Sequence, residues 1–276
     1  MSSAKLRAAI IQMNAGPSIE QNMAAAEIYI RAAAKDGAAF IATPENTCRM
    51  RAALEDRLVT SHVESDHPAI PFYAGLAREL GVTLLIGSIS SIRARGGKLF
   101  NRSYLFGRDG GTIATYDKIH MFDVDLPGGE RYRESDTCIA GESLCVAEAE
   151  GAKLGLSICY DVRFPHLYRA LAKRGAEILS VPAAFTVPTG QAHWEILLRA
   201  RAIENGAFVI APAQAGMHEG GRGTWGHSMI INPWGQIIAR IQEDSAGFAC
   251  ADLALAEVGK ARSSIPSLRH DRDYSA

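Results

Sequence analysis

The sequence predicts an α/β fold built on mixed sheets. Apolar runs rich in Ile and Val alternate with amphipathic helical patterns. Strands arrive singly between helices early in the chain and as hairpins later, which argues for parallel and antiparallel neighbours in one sheet. No Ser/Pro-rich linker, low-complexity tract or long internal repeat interrupts the pattern. Residues 1–276 therefore read as a single domain.

Residues 6–13 are the first expected strand. Ile19, Met23, Ala26, Ile30 and Ala33 follow at spacings of 4, 3, 4 and 3, one face of a helix, with Gly37 as its stop. Residues 38–42 read as a strand, 68–80 as a helix ending at Gly81, and 82–89 as the next strand. Residues 99–106 and 112–116 flank Asp109-Gly110-Gly111, a hairpin signal. Short strands at 146–149 and 154–158 surround Gly151. A helix at 165–174, a strand at 177–181, a helix at 191–204 and a strand at 207–211 come next. Residues 226–231 and 236–240 flank Asn232-Pro233-Trp234-Gly235, whose Pro and Gly suit a type I turn. The polar residues 269–276 are expected to be an exposed tail or an oligomer arm.

The chain has 276 residues, 29 Lys+Arg against 30 Asp+Glu, and 47% hydrophobic residues, ample for a buried core. A net charge of −1 offers no broad field to a phosphate backbone or an anionic lipid surface, which argues against nucleic acid as a partner. No run approaches the roughly 18 apolar residues of a membrane span. The longest uncharged run, 178–194, is broken by Pro182, Pro188 and Gly190. No basic-then-apolar leader is visible, and a cytoplasmic location is expected. The five cysteines (Cys48, Cys138, Cys145, Cys159, Cys250) are odd in number and form no CxxC pair, against a disulfide framework or a Cys-rich zinc site.

Three residues invite chemistry. Cys159 closes an apolar strand and opens a polar segment. At a strand-to-helix junction, backbone N–H groups and a helix N-terminus favour the nucleophilic thiolate; the other reading is a buried core cysteine. Glu45 directly follows the second strand, where α/β folds place working groups; the plainer reading is a solvated turn. Lys118 also closes a strand, and an ordinary surface lysine is its alternative. A Cys–His pair is the usual way to activate a thiol. Among His120, His193 and His227, no feature of the sequence singles out a base, and no histidines stand at metal-binding spacing.

Taken together, these residues and their flanks resemble the nitrilase superfamily of carbon–nitrogen hydrolases, from the first strand to about residue 268. Glu45 falls in the family's Pro-Glu loop, Lys118 in "YDKIHMFDVD" and Cys159 in "CYDVRFP". Glu134, in "YRESDT", matches a second glutamate beside the triad. The segments "HWEILLRARAIENGAFVIAPAQAG" and "GHSMIINPWG" extend the likeness. Two departures, Thr43 before Pro44 and His166 after Pro165, leave the triad untouched.

The resemblance implies a four-layer α-β-β-α sandwich that pairs into a homodimer or higher homo-oligomer. It also implies a Glu45–Lys118–Cys159 triad, with Glu45 as general base, Cys159 as nucleophile, and Lys118 with a backbone N–H near Tyr160 receiving the oxyanion. Glu134 is implied as an orienting neighbour, and Asp161 and Arg163 as organisers of the loop after the nucleophile. The chemistry implied is hydrolysis of a small amide through a thioester, releasing ammonia, with no cofactor and no metal. Within the family the chain looks most like the amidase branch; Tyr160 stands where true nitrilases usually carry Trp. A carboxylated amide is the implied substrate, deaminated glutathione ahead of α-ketoglutaramate or an N-carbamoyl amino acid. Arg163, Arg199, Arg201 and Arg222 are candidate carboxylate ligands. A Cys–His hydrolase and a non-catalytic scaffold are the competing readings.

Overall fold

The computed structural model describes residues 5–50, 61–126, 129–219, 221–242 and 244–273. Strand β1 (Lys5–Gln12) buries Ala9 and Ile11 on one face and Ala8 and Ile10 on the other. A strand apolar on both faces needs cover on both. On the first face lie helices α1 (Ile19–Lys35) and α2 (Ala69–Leu80), whose Ala26, Ile30, Tyr73 and Leu76 pack with Ala9 and Ile11. The second face meets another sheet, and four layers result.

In the first sheet β1 lies parallel to β2 (Phe40–Ala42), and β2 parallel to β3 (Thr83–Arg93). Strands β4 (Leu99–Phe106) and β5 (Thr112–Asp117) follow antiparallel. A C-terminal strand, Gly247–Ala254, closes the other edge beside β1, with Lys5 opposite Ala254 and Gln12 opposite Gly247. A small hairpin of β6 (Asp123–Asp125) and β7 (Arg131–Arg133) then leads away from this sheet.

The second sheet begins with β8 (Cys145–Ala149) and β9 (Ala152–Leu156). Helix α3 (Pro165–Lys173) returns the chain to β10 (Ile178–Ser180), parallel to β9. Helix α4 (Val187–Asn205) returns it to β11 (Phe208–Ala211), parallel to β10. The hairpin β12 (Ala215–Met217) and β13 (Gly223–Trp225) stands apart from the sheet. Strands β14 (Met229–Ile231) and β15 (Ile237–Arg240) complete the sheet antiparallel. Tyr168, Leu171, Trp194 and Leu198 of α3 and α4 belong to the same large core as the strands of this sheet.

The predicted α/β architecture with mixed sheets is the one observed. The type I turn is present: Gly235 N–H donates to the Asn232 carbonyl at 2.9 Å. Helix α4 begins a turn earlier than its predicted start at 191. Proline has no N–H to lose in a helix's opening turn, so Pro188 starts this helix rather than breaking it. The small hairpins, the C-terminal strand (β16) and α5 (Ala256–Ser264) lie where the sequence reading assigned nothing. Residues 269–273 are exposed, as the sequence suggested, and Asp271 ion-pairs there with Arg169 and Lys173 of α3; 274–276 lie outside the described residues.

One contact fixes the spacing of the sheets. A Cβ added to Gly87 of β3 would lie 2.1 Å from the Thr43 carbonyl oxygen and 2.5 Å from both the Pro44 carbonyl oxygen and Pro182 Cβ. Only glycine lets the segments after β2 and β10 close over β3. Among the described residues no helix is long and apolar enough to cross a membrane.

Candidate active site

The first and second sheets send their loops to a common end. Glu45 follows β2, Lys118 follows β5, Glu134 follows β7, and Cys159 follows β9 at the start of a short 3-10 segment, Cys159–Arg163. All four line one cavity of about 790 Å³, the size of a small-ligand site. Lys118, Glu45 and Cys159 are only 2%, 3% and 7% exposed. For Lys118 the surface-lysine alternative is thereby excluded, and for Glu45 the solvated turn.

Lys118 Nζ donates to Glu45 Oε1 at 3.0 Å and to Glu134 Oε2 at 2.8 Å. Burial opposes the lysine's charge, yet Glu134 and Glu45 together hold its pKa well above the ordinary value. Burial likewise opposes charge on Glu134. Lys118, the Phe122 N–H at 2.8 Å and Asn101 overcome that and lower its pKa. Asn101 Nδ2 bridges both carboxylates, 2.9 Å from Glu45 Oε1 and 3.1 Å from Glu134 Oε1. The result is a buried, charged carboxylate–ammonium–carboxylate row with Asn101 beside it.

Cys159 sits at φ 50°, a left-handed conformation that L-residues seldom adopt, at the strand-to-helix junction the sequence suggested. Its N–H donates to the Pro182 carbonyl at 2.9 Å. The thiol corrects one expectation. The junction was expected to favour thiolate, but burial first, and the Glu45 carboxylate second, raise the thiol pKa well above the usual value. Lys118 and the Ala184 N–H only partly oppose them. At rest the sulfur's surroundings therefore favour the thiol over the thiolate.

The loop after Cys159 is organised by Asp161, which is fully buried. Its carboxylate accepts from the Tyr116 hydroxyl at 2.7 Å, the Ile158 N–H at 2.9 Å, and the His120 N–H and ring Nδ1 at 3.0 and 2.7 Å. Tyr160 lines the cavity, and its N–H lies in the opening turn of the 3-10 segment, where amides lack partners within the helix. Thr43, one of the two departures from the family pattern, is buried. Its hydroxyl lies 2.7 Å from that of Thr47 and accepts from the Gly87 N–H at 3.1 Å.

Among the described residues, no histidine lines the cavity. His120 serves Asp161, His193 lies 3.3 Å from an Arg163 nitrogen, and His227 Nδ1 is 2.7 Å from the Trp225 carbonyl. Of the four candidate arginines only Arg222 reaches the cavity wall. Arg163 lies against the rings of Tyr160 and Phe185, Arg199 binds the Gly235 carbonyl, and Arg201 binds the Val162 carbonyl. The sequence reading missed Asn101, Arg131 and Arg133. Asn101 had left a signal, since a strand interior seldom carries Asn. Among the described residues no three His, Cys, Asp or Glu side chains group as a metal site.

Such a fold and such a cavity define an enzyme class, and residues 7–263 match the model of that class, carbon-nitrogen hydrolase. The chain belongs to the carbon-nitrogen hydrolase family, whose members act on C–N bonds other than peptide bonds. It is 41% identical to a deaminated glutathione amidase of Synechocystis sp., over 95% of this chain and 97% of that one. It is 36% identical to the ω-amidase of Danio rerio, over 98% and 95% of the two chains. An amidase from Nesterenkonia sp. AN1 superposes with a TM-score of 0.83 at 25% identity, covering 99% of this chain and 95% of that one. That structure is a glutamate-to-glutamine variant with the acetamide moiety of fluoroacetamide added covalently at its active-site cysteine.

Proposed function

We propose that this protein is an amidase of small carboxylated amides, with Cys159 as nucleophile, Glu45 as general base and Lys118 as oxyanion donor. The observation that carries the reading is the hydrogen-bonded Glu45–Lys118 pair and the Cys159 thiol, all buried at one end of a ligand-sized cavity. Lys118 and Asn101 both occupy Glu45 Oε1, which leaves Oε2 to take the proton of Cys159. The raised thiol pKa makes that base necessary, because little thiolate exists at rest. An ammonium has three N–H donors. Two hold Glu45 and Glu134, and the third, with the Tyr160 N–H, meets the oxyanion as sulfur adds to the amide carbonyl.

Glu45 then returns its proton to the leaving nitrogen, and a Cys159 thioester remains. Water, deprotonated by Glu45, hydrolyses the thioester and regenerates the thiol. The leaving group is ammonia from a primary amide. From a substituted amide such as deaminated glutathione it is an amine, so ammonia release alone is too narrow a readout. The relatives named above support the two leading substrates, deaminated glutathione first and α-ketoglutaramate second. Glu134 acts by orienting Lys118. The whole chain works as one catalytic domain, in the cytoplasm, as a homodimer. Exposed Ile196 and Ile203 on α4 and Trp234 at the β14–β15 turn support the pairing.

The test is a substrate panel: both leading substrates, an N-carbamoyl amino acid, an aliphatic amide and a nitrile, read by acid product and by intact-protein mass. Cys159→Ala should fold and hydrolyse none of them. Single Ala substitutions of Cys48, Cys138, Cys145 and Cys250 should retain activity. An acyl adduct on a residue other than Cys159, or nitrile turnover faster than amide turnover, overturns the proposal.

A further inference from the structure

Besides Lys118, the cavity wall carries the cations Arg131, Arg133 and Arg222. Arg133 is spent within the protein: its guanidinium grips both oxygens of Asp125 at 2.8 and 2.7 Å and also donates to the Val124 and Tyr132 carbonyls. Arg131 lies 3.5 Å from the same Asp125, with its side chain 70% exposed. Lys118 is shared by two carboxylates.

Arg222 differs from all of these. Among the described residues no carboxylate pairs with it. Its Nη2 donates to the Ala184 carbonyl at 3.0 Å, and its guanidinium carbon lies 5.3 Å from the centre of the Tyr132 ring. Its Nε is buried with no acceptor. A buried donor left unsatisfied is costly, and a guanidinium presents its donors in a planar fork that fits a carboxylate. The head group is thus fixed by a carbonyl and a ring face, with no carboxylate among the described residues to neutralise its charge.

Ala184 lines the cavity together with Cys159 and Arg222, and its carbonyl holds the Arg222 guanidinium. Sulfur and guanidinium thus face one cavity, in which a short acyl chain with a carboxylate at its far end can lie.

We propose that Arg222 binds the carboxylate of the substrate's acyl group, and so selects amides whose acyl chain ends in a carboxylate a few bonds from the scissile carbonyl. The inference rests on the amidase reading of the same cavity and names the group that sets its specificity.

The test compares glutaramate with its neutral counterpart pentanamide in the wild type, Arg222→Gln and Arg222→Lys. Arg222→Gln should raise KM for glutaramate about tenfold to a hundredfold, the loss expected for one charge-assisted contact, and lower the glutaramate-to-pentanamide ratio of kcat/KM to match. Arg222→Lys, which keeps charge without the fork, should fall between. If both amides lose the same factor, Arg222 is merely structural; if the ratio does not move, the carboxylate binds elsewhere. Either result overturns the proposal. A second measurement needs no turnover: glutarate should protect wild-type Cys159 from iodoacetamide and fail to protect it in Arg222→Gln. Protection through Arg222 without hydrolysis of any amide sinks the amidase reading alone. Hydrolysis with protection indifferent to Arg222 sinks this inference alone.

Discussion

Replacing Glu45 with Gln should make Cys159 more acidic and the enzyme nearly inactive. The amide keeps the shape and an oxygen for Lys118, which donates to Oε1 at 3.0 Å, and for Asn101 at 2.9 Å. What it removes is a negative charge in contact with the thiol, the second cause of that thiol's raised pKa after burial. Two unit charges about 4 Å apart interact by about 4 kcal/mol at an effective dielectric constant of about 20, equivalent to about three pK units. Lys118 already offsets part of this field, and the alkylation midpoint of Cys159 should move down. Turnover should nonetheless fall by about 10²–10⁴, because the proton carrier of both half-reactions is gone. The assay follows iodoacetamide alkylation of Cys159 by intact mass across a pH series, with turnover measured on the same samples and an unfolded control for access. A midpoint that rises, or turnover within tenfold of wild type, would refute Glu45 as both base and electrostatic neighbour of the thiol.

Lys118→Met should cost about 10²–10³ in turnover and raise the Cys159 alkylation midpoint. It also leaves Glu45 and Glu134 facing each other without their shared cation, at a stability loss of about 3–5 kcal/mol near neutral pH by denaturant titration. Lys118 is the chief group depressing the Glu134 pKa against burial, so the stability this gives is present above the usual carboxylate range and fades as pH falls. The gap between wild type and Lys118→Met should therefore narrow on acidification; a gap that does not change with pH contradicts the charged row. Gly87→Ala should destabilise by about 1–3 kcal/mol or more, since its Cβ meets backbone oxygens that cannot yield cheaply. Melting unchanged from wild type in that variant would mean the sheets can part without cost.

Periodic segments were legible because their burial is one-sided or complete. The α1 positions Ile19, Ala26, Ile30 and Ala33 are all buried, as their spacing required. The meeting of Glu45, Lys118 and Cys159 in one cavity was legible as well, since all three stand at strand ends beside distinctive flanks. Less legible were features created only by pairing. Strand β16 is a mostly half-exposed edge strand whose place is set by its register with β1, including an Arg7–Asp252 ion pair at 3.1 Å. The thiol's acidity could not be read locally either. A strand-to-helix junction lowers a cysteine's pKa, but burial first, and then a carboxylate far away in sequence brought in by the other sheet, raise it. Arg222 stood among four candidates of equal standing until the fold placed the other three away from the cavity.

The division of the site between two sheets has a consequence during synthesis. Glu45 and Lys118 follow β2 and β5 of the first sheet, and Cys159 follows β9 of the second. A growing chain that has made only β1–β5 carries Glu45 and Lys118 without Cys159, and β16, which completes the first sheet beside β1, is made after the whole second sheet. A second sheet detached from the first carries the Cys159 thiol without Glu45. The segment bearing Pro182 packs over Gly87, so the docking that joins the two sheets is also what brings Glu45, Lys118 and Cys159 to one cavity.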